Sequence, residues 1–328
     1  MNKKAVSLLS GGLDSTLATC ILKEQGIEIE AINFQTMFGC CKDDAREVAT
    51  RLGVGFTLLK VGDDYLDMIK NPKYGYGRAI NPCVDCRSYM FTMAKKWMDQ
   101  MGASFMISGE VLNQRPMSQK MRDFELIEAE CGLEGRILRP LSAKRLPETE
   151  PEKAGIVDRS KLFGIEGRSR AELLKLAAKY GIENPPSASS GCALTEKPFA
   201  EKVRDVFENR PDYKRWEFEV LKTGRHFRLS SEAKVILGRN ENENQYLISL
   251  HPEGTWLLEP EQFIGPYALV VGTASDEDLG MAGAIMLRYS QNPRPQSGVV
   301  RAVQNENAKT IRVPHGASEE LINSLRIA

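Results

Sequence analysis

Ser10-Gly11-Gly12-Leu13-Asp14-Ser15 is the most informative stretch of this chain. It follows a short apolar run, Ala5 to Leu9, and precedes a segment with the apolar spacing of a helix, Thr16 to Gln25. Glycines in a strand-to-helix turn let the backbone come close to an anion, and the first N–H groups of the helix point at it. The serines add hydroxyl donors, and Asp14 can hold a metal ion that bridges phosphates. The stretch therefore predicts a site for a triphosphate or a pyrophosphate.

An ordinary glycine turn with a serine helix cap is the alternative, because short glycine motifs also match by chance. The position directly after the first strand favours the phosphate site, and the lack of a following Gly-Lys-Ser/Thr excludes a Walker-type loop. The six residues resemble the PP-loop signature SGGxDS of the N-type ATP pyrophosphatases. This resemblance implies cleavage of ATP into AMP and pyrophosphate, with a carbonyl oxygen activated by adenylation. It places ATP on Ser10, Gly11, Gly12, Leu13, Asp14 and Ser15, with Mg²⁺ near Asp14.

The composition sets limits on the function. A chain of 328 residues is long enough for two domains, and its net charge of zero provides no global basic field for a nucleic acid. The first strand follows Met1 to Lys4 at once, which leaves no room for a signal peptide, and no apolar run approaches the length of a membrane span. We therefore expect a cytoplasmic protein that does not contact membranes.

Strand and helix signals alternate along the first part of the chain, which predicts an α/β fold with a parallel sheet. Together with the PP-loop resemblance, this pattern indicates a sheet of the adenine-nucleotide alpha-hydrolase type. Ligands of such sheets bind beyond the carboxyl ends of the strands. Phe34 and Gly109 are therefore further candidate nucleotide contacts. The five predicted strands are Ala5–Leu9, Ala31–Phe34, Phe56–Val61, Ala103–Ser108 and Leu138–Leu141.

After about residue 216 the pattern changes to short β-like runs, which predicts a second, smaller α+β domain. The predicted domains are a catalytic domain over residues 1–215 and an RNA-binding domain over residues 216–328. Phe218 to Leu221 and Tyr246 to Leu250 are among the predicted strands. Arg225, His226 and Arg228 could form a positive strip on a strand that faces RNA, or an ordinary solvated surface.

Seven cysteines, an odd number, argue against a disulfide framework in a cytoplasmic chain. Cys83-Val-Asp-Cys86 can place two thiolates on one metal, but two ligands do not complete a site. An iron–sulfur cluster can be held by three thiolates with one open iron, and Cys192, in a Ser-Gly-Cys loop, is the best third ligand. The alternatives are a redox pair or a zinc knuckle at Cys83 and Cys86, with Cys192 as a buried packing residue.

Asn81-Pro82-Cys83-x-x-Cys86-Arg87, followed by a helix and a later lone cysteine, resembles the PP-loop tRNA thiouridine synthetases of the ThiI, TtuA, TtcA and MnmA types. The resemblance covers about residues 5 to 205 and includes Ser108-Gly109-Glu110. In the cluster-dependent members, a CxxC and one distant cysteine hold a [4Fe-4S] cluster. Mapped by motif, these ligands are Cys83, Cys86 and Cys192, which with Asp14 form the implied catalytic set. The segments Lys222–Leu229 and Gly238–Asn244 resemble the NFACT RNA-binding module, which implies a contact with tRNA.

The implied function is ATP-dependent tRNA uridine thiolation, in which a uridine carbonyl is adenylated and then receives sulfur from a [4Fe-4S] cluster. The implied partners are tRNA and a sulfur donor, either sulfide or a persulfide made by a cysteine desulfurase; a homodimer is left open. Three alternatives remain open: a persulfide route on Cys86 and Cys192 without a cluster, adenylation of a small-molecule carbonyl or carboxylate, and a nucleotide-sensing binding protein. Cys40 and Cys41 are either a persulfide carrier or packing residues.

Overall fold

The structure is a computed structural model that describes residues 1–39, 44–185 and 192–328. The described chain divides into two compact units, Met1–Thr195 and Glu196–Ala328. This division precedes the predicted boundary after residue 215, because the helix over Lys197–Asn209 belongs to the second unit: its Lys202 Nζ donates to the carbonyl of Leu221 at 3.2 Å. The functional domains over residues 1–215 and 216–328 stay a prediction. In the described part of the chain, no helix is long and apolar enough to cross a membrane.

The first unit contains one parallel sheet with helices on both faces, which confirms the predicted fold class. The strand order is β3-β2-β1-β4-β5. The strands are β1 (Lys4–Leu8), β2 (Glu28–Gln35), β3 (Gly55–Lys60), β4 (Phe105–Ser108) and β5 (Ile137–Leu138). The helices are α1 (Leu13–Glu24), α2 (Asp44–Leu52), α3 (Asp64–Lys70), α4 (Cys83–Gln100), α5 (Met121–Cys131), α6 (Glu150–Lys153) and α7 (Ala171–Lys179).

Side chains of the central strands point alternately to two hydrophobic cores. Ala5 packs in the core that includes Leu17 of α1, whereas Val6 packs in the opposite core with Phe91 of α4 and Met106 of β4. A strand that is covered on both faces reads as a continuous apolar run, as the first predicted strand does.

The strand order reverses at β1, which has β2 on one side and β4 on the other. The connections that leave the carboxyl ends of β1 and β4 therefore diverge, and a crevice opens between them. The Ser10–Ser15 turn follows β1 and Gly109 follows β4, so both predicted nucleotide segments meet at this crevice.

The second unit contains a six-stranded antiparallel sheet with the order β11-β10-β8-β9-β7-β6, as expected for an α+β domain. Its strands are β6 (Arg225–Arg228), β7 (Ala233–Leu237), β8 (Trp256–Pro260), β9 (Ala268–Gly272), β10 (Gly298–Gln304) and β11 (Asn307–Val313). Its helices are α8 (Lys197–Asn209), α9 (Arg215–Glu219), α10 (Glu241–Leu250), α11 (Asp276–Arg288) and α12 (Glu319–Leu325).

Two predicted strands of this unit are wrong. Phe218 to Leu221 spans the end of α9 and a 3-10 helix over Val220–Lys222. Tyr246 to Leu250 is the second half of α10, whose first turn is capped by Asn240 accepting from the N–H of Glu243 at 3.0 Å. Short apolar runs have no period that separates strand from helix, so the upstream cap decided the second case.

The predicted RNA-facing strip is also wrong for two of its three residues. His226 is 1% exposed, and Arg228 forms two bonds with the Asp205 carboxylate of α8, at 2.9 and 2.5 Å. The guanidinium of Arg225 lies over the ring of Tyr289. His226 and Arg228 therefore face the interior of the second unit, because α8 and its acidic side chain cover this face of the sheet.

Candidate nucleotide and thiol site

The turn between β1 and α1 has the geometry of an anion-binding loop. Gly11 adopts φ +78°, and a Cβ at this position would lie 2.9 Å from the backbone nitrogen of Ala45. Gly12 is the N-cap of α1, and as a glycine it forms no side-chain hydrogen bond to the first turn of the helix. Because no cap side chain satisfies them, the first N–H groups of the helix remain available to a phosphate.

The two serines hold the loop in this shape. Ser15 Oγ donates to the Gly12 carbonyl at 3.0 Å and accepts from the backbone N–H of Ser10 at 3.2 Å. The two hydroxyl groups lie 3.1 Å apart. A hydroxyl rotates at little cost, so the same groups can turn to a bound phosphate; that role stays a prediction.

Asp14 is held by a residue that the sequence analysis did not single out. Gln114 Nε2 donates to Asp14 Oδ2 at 3.0 Å. A carboxylate with one oxygen oriented in this way suits Mg²⁺, which is commonly bound by one or two carboxylates together with substrate phosphates. Gln114 lies in the segment after β4 where ligands were expected, but no local pattern distinguishes it from its neighbours.

Gly109 and Phe34 have different surroundings. A Cβ on Gly109 would lie 2.5 Å from the backbone nitrogen of Ser15, so only glycine allows this close approach of the β4 end to α1. Phe34 is 7% exposed and packs in the core with Phe91. Both remain predicted nucleotide contacts; Phe34 lies near the carboxyl end of β2.

The CxxC motif forms the first turn of α4. The helix begins at Cys83 after Pro82, and the N–H of Cys86 donates to the Pro82 carbonyl at 2.8 Å. Asn81 Nδ2 donates to Cys83 Sγ at 3.1 Å. The helical geometry therefore places the two thiols one turn apart, near the carboxyl edge of the sheet.

Tyr65 of α3 contacts this motif and was missed by the sequence analysis. It is 1% exposed, and its hydroxyl lies 3.2 Å from Cys86 Sγ. Burial raises the pKa of Tyr65 well above its ordinary value, and the charges of Cys86 and Cys192 add to the shift. Burial also raises the pKa of Cys86, while the hydrogen bond from Tyr65 opposes this effect. Tyr65 therefore stays protonated near neutral pH and can donate to the sulfur.

The structure brings Cys192 toward the same place. Its Sγ donates to the carbonyl of Phe38, which lies three residues after the end of β2 at Gln35, at 3.7 Å. The neighbouring Leu194 carbonyl accepts from the N–H of Ile80, which lies just before the CxxC motif, at 3.2 Å. Together with its electrostatic effect on Tyr65, these contacts place Cys192 on the CxxC side of the sheet edge.

The structure does not confirm the predicted cluster site within the residues that it describes. Within residues 1–39, 44–185 and 192–328, no three His, Cys, Asp or Glu side chains are grouped so that they could hold a metal ion. The sulfurs of Cys83, Cys86 and Cys192 have separate partners: Asn81, Tyr65 and Phe38. The predicted [4Fe-4S] cluster on these three cysteines is not confirmed and stays a prediction. Cys40 and Cys41 lie outside the described residues, as do residues 186–191.

Comparisons with known proteins found family models and relatives that this chain resembles. Residues 1–148 match the family model described as thiamine biosynthesis protein (ThiI), and residues 224–326 match that of the NFACT protein RNA binding domain. The tRNA-specific 2-thiouridylase MnmA of Caldicellulosiruptor saccharolyticus is 24% identical over 77% of this chain and 74% of its own. The MnmA of Clostridium acetobutylicum is 32% identical over 33% of this chain and 36% of its own.

A solved structure, a 4-thiouridine synthetase–RNA complex with bound ATP, has 19% identity and a TM-score of 0.40, over 67% of this chain and 51% of that chain. The chain spans about three quarters of the first MnmA relative and about a third of the second. The family models and relatives confirm the predicted resemblance. Residues 1–148 therefore resemble the PP-loop enzymes of the tRNA thiouridine synthetase type. Residues 224–326 resemble the NFACT RNA-binding domain. The predicted enzyme class, an ATP-dependent tRNA sulfurtransferase, agrees with these relatives.

Proposed function

We propose that this protein adenylates a uridine carbonyl of tRNA and then replaces the carbonyl oxygen by sulfur. One observation carries the proposal: the PP-loop with Gly109, and the thiols of Cys86 and Cys192, lie at the carboxyl edge of one parallel sheet. ATP activation and sulfur chemistry have to act on the same carbon of the base. A common edge gives both groups access to it.

The first step uses the PP-loop. The N–H groups at the start of α1 and the serine hydroxyls would bind the leaving pyrophosphate, and Asp14 would hold Mg²⁺, which neutralises phosphate charge when bound. The uridine carbonyl oxygen attacks the α-phosphorus of ATP, and pyrophosphate departs. The protein contributes position and charge stabilisation, so no histidine base is needed.

The second step uses sulfur handled by Cys86 and Cys192. A persulfide on one of these residues attacks the activated carbon through its outer sulfur, and AMP leaves with the original oxygen. The other thiolate then attacks the inner sulfur, which releases thiouridine and leaves a disulfide between the two cysteines for an external thiol to reduce. Tyr65 lies 3.2 Å from Cys86, and its ring centroid lies 6.4 Å from that of Phe38, whose carbonyl accepts from Cys192; these contacts support the pairing.

We infer further that the second unit contacts tRNA, since it matches an RNA-binding family model, and that the enzyme works in the cytoplasm, where tRNA is modified. A desulfurase-derived persulfide is the expected donor for this route and sulfide the donor for the cluster form, and sedimentation would test the homodimer. The cluster form of sulfur delivery, on Cys83, Cys86 and Cys192, stays a prediction. Anaerobic purification tests it: a brown, iron-containing protein supports the cluster, and a colourless protein that is active with a persulfide donor contradicts it.

Purified protein with tRNA, ATP and a sulfur donor should form AMP and a thiouridine, both measured by mass spectrometry. Asp14→Asn should lower both by about 100-fold or more, because the phosphate site loses its metal-binding carboxylate. Cys86→Ser should lose thiouridine and keep AMP formation. Asp99→Asn, an exposed carboxylate of α4, is the matched control and should leave both unchanged. Normal thiolation by Asp14→Asn would contradict the proposal.

A further inference from the structure

Glu110 is a buried carboxylate between the nucleotide loop and the CxxC motif. It directly follows Gly109 and is 3% exposed. Its Oε2 accepts from Arg139 Nε at 3.1 Å, and its Oε1 lies 3.5 Å from Arg87 Nε. Glu110 therefore connects the end of β4 with the residue that follows Cys86.

Arg139 is held rigidly and so fixes Glu110. It is 3% exposed, its Nη1 contacts Glu128 Oε1 at 2.5 Å, and its guanidinium lies 3.8 Å from the ring centroid of Phe124. A planar guanidinium with stacking and two carboxylate contacts has little rotational freedom. The Glu110 carboxylate consequently has a defined orientation.

The other carboxylate oxygen of Glu110, Oε1, is buried and lacks a hydrogen bond of good geometry among the described residues. It forms an ion pair with Arg87. Burying a charged oxygen in this way is unfavourable, so its negative charge draws the Arg87 guanidinium toward it. Arg87 also lies near the sulfur site, since it directly follows Cys86 in the chain. Its positive charge therefore acts to lower the pKa of both Cys86 and Tyr65.

We propose that Glu110 is a positioning residue that holds Arg87 beside Cys86, where Arg87 binds the α-phosphate of the adenylated uridine. The contact with Glu110 uses Nε, and the Arg87 side chain is 30% exposed, so its terminal nitrogens can reach a ligand phosphate. Negative charge develops on this phosphate as AMP leaves. A cation that is already in place stabilises that charge without reorganisation. The inference rests on the proposed function.

The test compares Glu110→Gln with Glu128→Gln in the full-length protein. Both variants remove one carboxylate from Arg139, but only Glu110→Gln releases Arg87. We expect Glu110→Gln to lower kcat for tRNA thiolation by about tenfold or more, with KM for ATP within about twofold, since a transition-state interaction is lost. Glu128→Gln leaves Glu110 and its contact with Arg87 in place, so it should lower kcat much less than Glu110→Gln does. Equal kcat values for the two variants would overturn the inference.

Arg87→Met keeps the test valid if Glu110→Gln fails to fold, because Arg87 is partly exposed. It should lower kcat by at least as much, and normal activity of this variant would overturn the inference. Adding Glu110→Gln to Arg87→Met should cost no further activity, since Glu110 acts through Arg87. If Glu110→Gln lowers the activity of the Arg87→Met variant by the same factor as that of the unaltered protein, Glu110 does not act through Arg87 and the inference is overturned. If the unaltered protein forms neither AMP nor thiouridine, the proposed function itself is wrong. This result is distinguishable from a failure of the inference, in which the unaltered protein is active and only the variants behave differently than expected.

Discussion

At the scale of single residues, the site depends on contacts between side chains far apart in the chain. Asp14 was identified from its motif, but its partner Gln114 lies 100 positions later and has no local signature. Arg139 and Tyr65 were missed for the same reason. Short motifs report residues that are fixed by the local backbone, whereas the side chains that orient them come from other strands.

Gln114→Glu should weaken the use of MgATP. It would place a second carboxylate against Asp14, and like charges at this distance repel, so KM for MgATP should rise by about tenfold. Excess Mg²⁺ should restore part of the loss. The measurement is ATP-dependent AMP formation against Mg²⁺ concentration. Gln100→Glu, on the exposed end of α4, is the matched control and should show no change; an unchanged KM for Gln114→Glu would show that Asp14 needs no such partner.

At the scale of elements, the crevice depends on how closely β4 approaches the start of α1. Gly109 allows backbone contact with Ser15, and α1 in turn covers Ala5 and Phe105 in the core. The phosphate loop is therefore held by packing as well as by its own hydrogen bonds. A glycine in the sequence indicates such an approach only once the neighbouring strand is known.

Gly109→Ala should damage the site more than the fold. Its methyl group would lie 2.5 Å from the backbone nitrogen of Ser15, so α1 or β4 has to shift. Overpacking of this kind costs about 1–3 kcal/mol, and we expect ATP binding to fall by about tenfold or more. Calorimetric titration with ATP and thermal unfolding would measure both effects. Gly280→Ala in α11, with nothing within 4 Å of its Cβ, should leave ATP binding unchanged; equal results for both variants would contradict the close-packing argument.

At the scale of the whole molecule, both units bury charged groups beside their apolar cores. The first unit buries the ion pair of Glu110 and Arg139, and the second buries a lysine. Lys234 of β7 has a side chain that is 1% exposed, with Nζ 3.6 Å from Asp205 Oδ2. Burial lowers the pKa of Lys234 from 10.5 to about 8, while Asp205 opposes the shift.

This shift predicts that the second unit becomes more stable as the pH rises from about 8 to 10.5. In that window the unfolded chain keeps the proton that the folded unit has lost, so unfolding binds protons and its free energy rises with pH, by up to about 3 kcal/mol. Lys234→Met should remove the part of this dependence that Lys234 contributes and leave the part from Lys202, whose pKa burial also lowers to about 8. The measurement is urea unfolding at several pH values, followed by tryptophan fluorescence. A Trp97→Phe background leaves tryptophans only in the second unit, so the signal reports the unfolding of that unit.

Lys197→Met, an exposed lysine of α8, is the control for this experiment and should leave the pH dependence in place. The same slope in Lys234→Met and in the background protein would show that another group is responsible. His226 is buried as well, and burial together with nearby lysines keeps its pKa well below 6.5. Its contribution to stability is lost as the pH falls below 6.5, in a different window from that of Lys234.

The sequence alone determined the α/β class, the PP-loop between β1 and α1 and the resemblance to thiouridine synthetases, because each depends on the local order of strand, glycine turn and helix. Its errors, at Phe218–Leu221 and Tyr246–Leu250, fell on short apolar runs whose structure depends on a cap and on packing. Only the tertiary structure decided which face His226 and Arg228 occupy, that Gln114 holds Asp14, and that Arg139 and Glu110 reach Arg87. These contacts join residues on different strands and helices, and their energies arise from burial and charge that exist only once the sheets have formed.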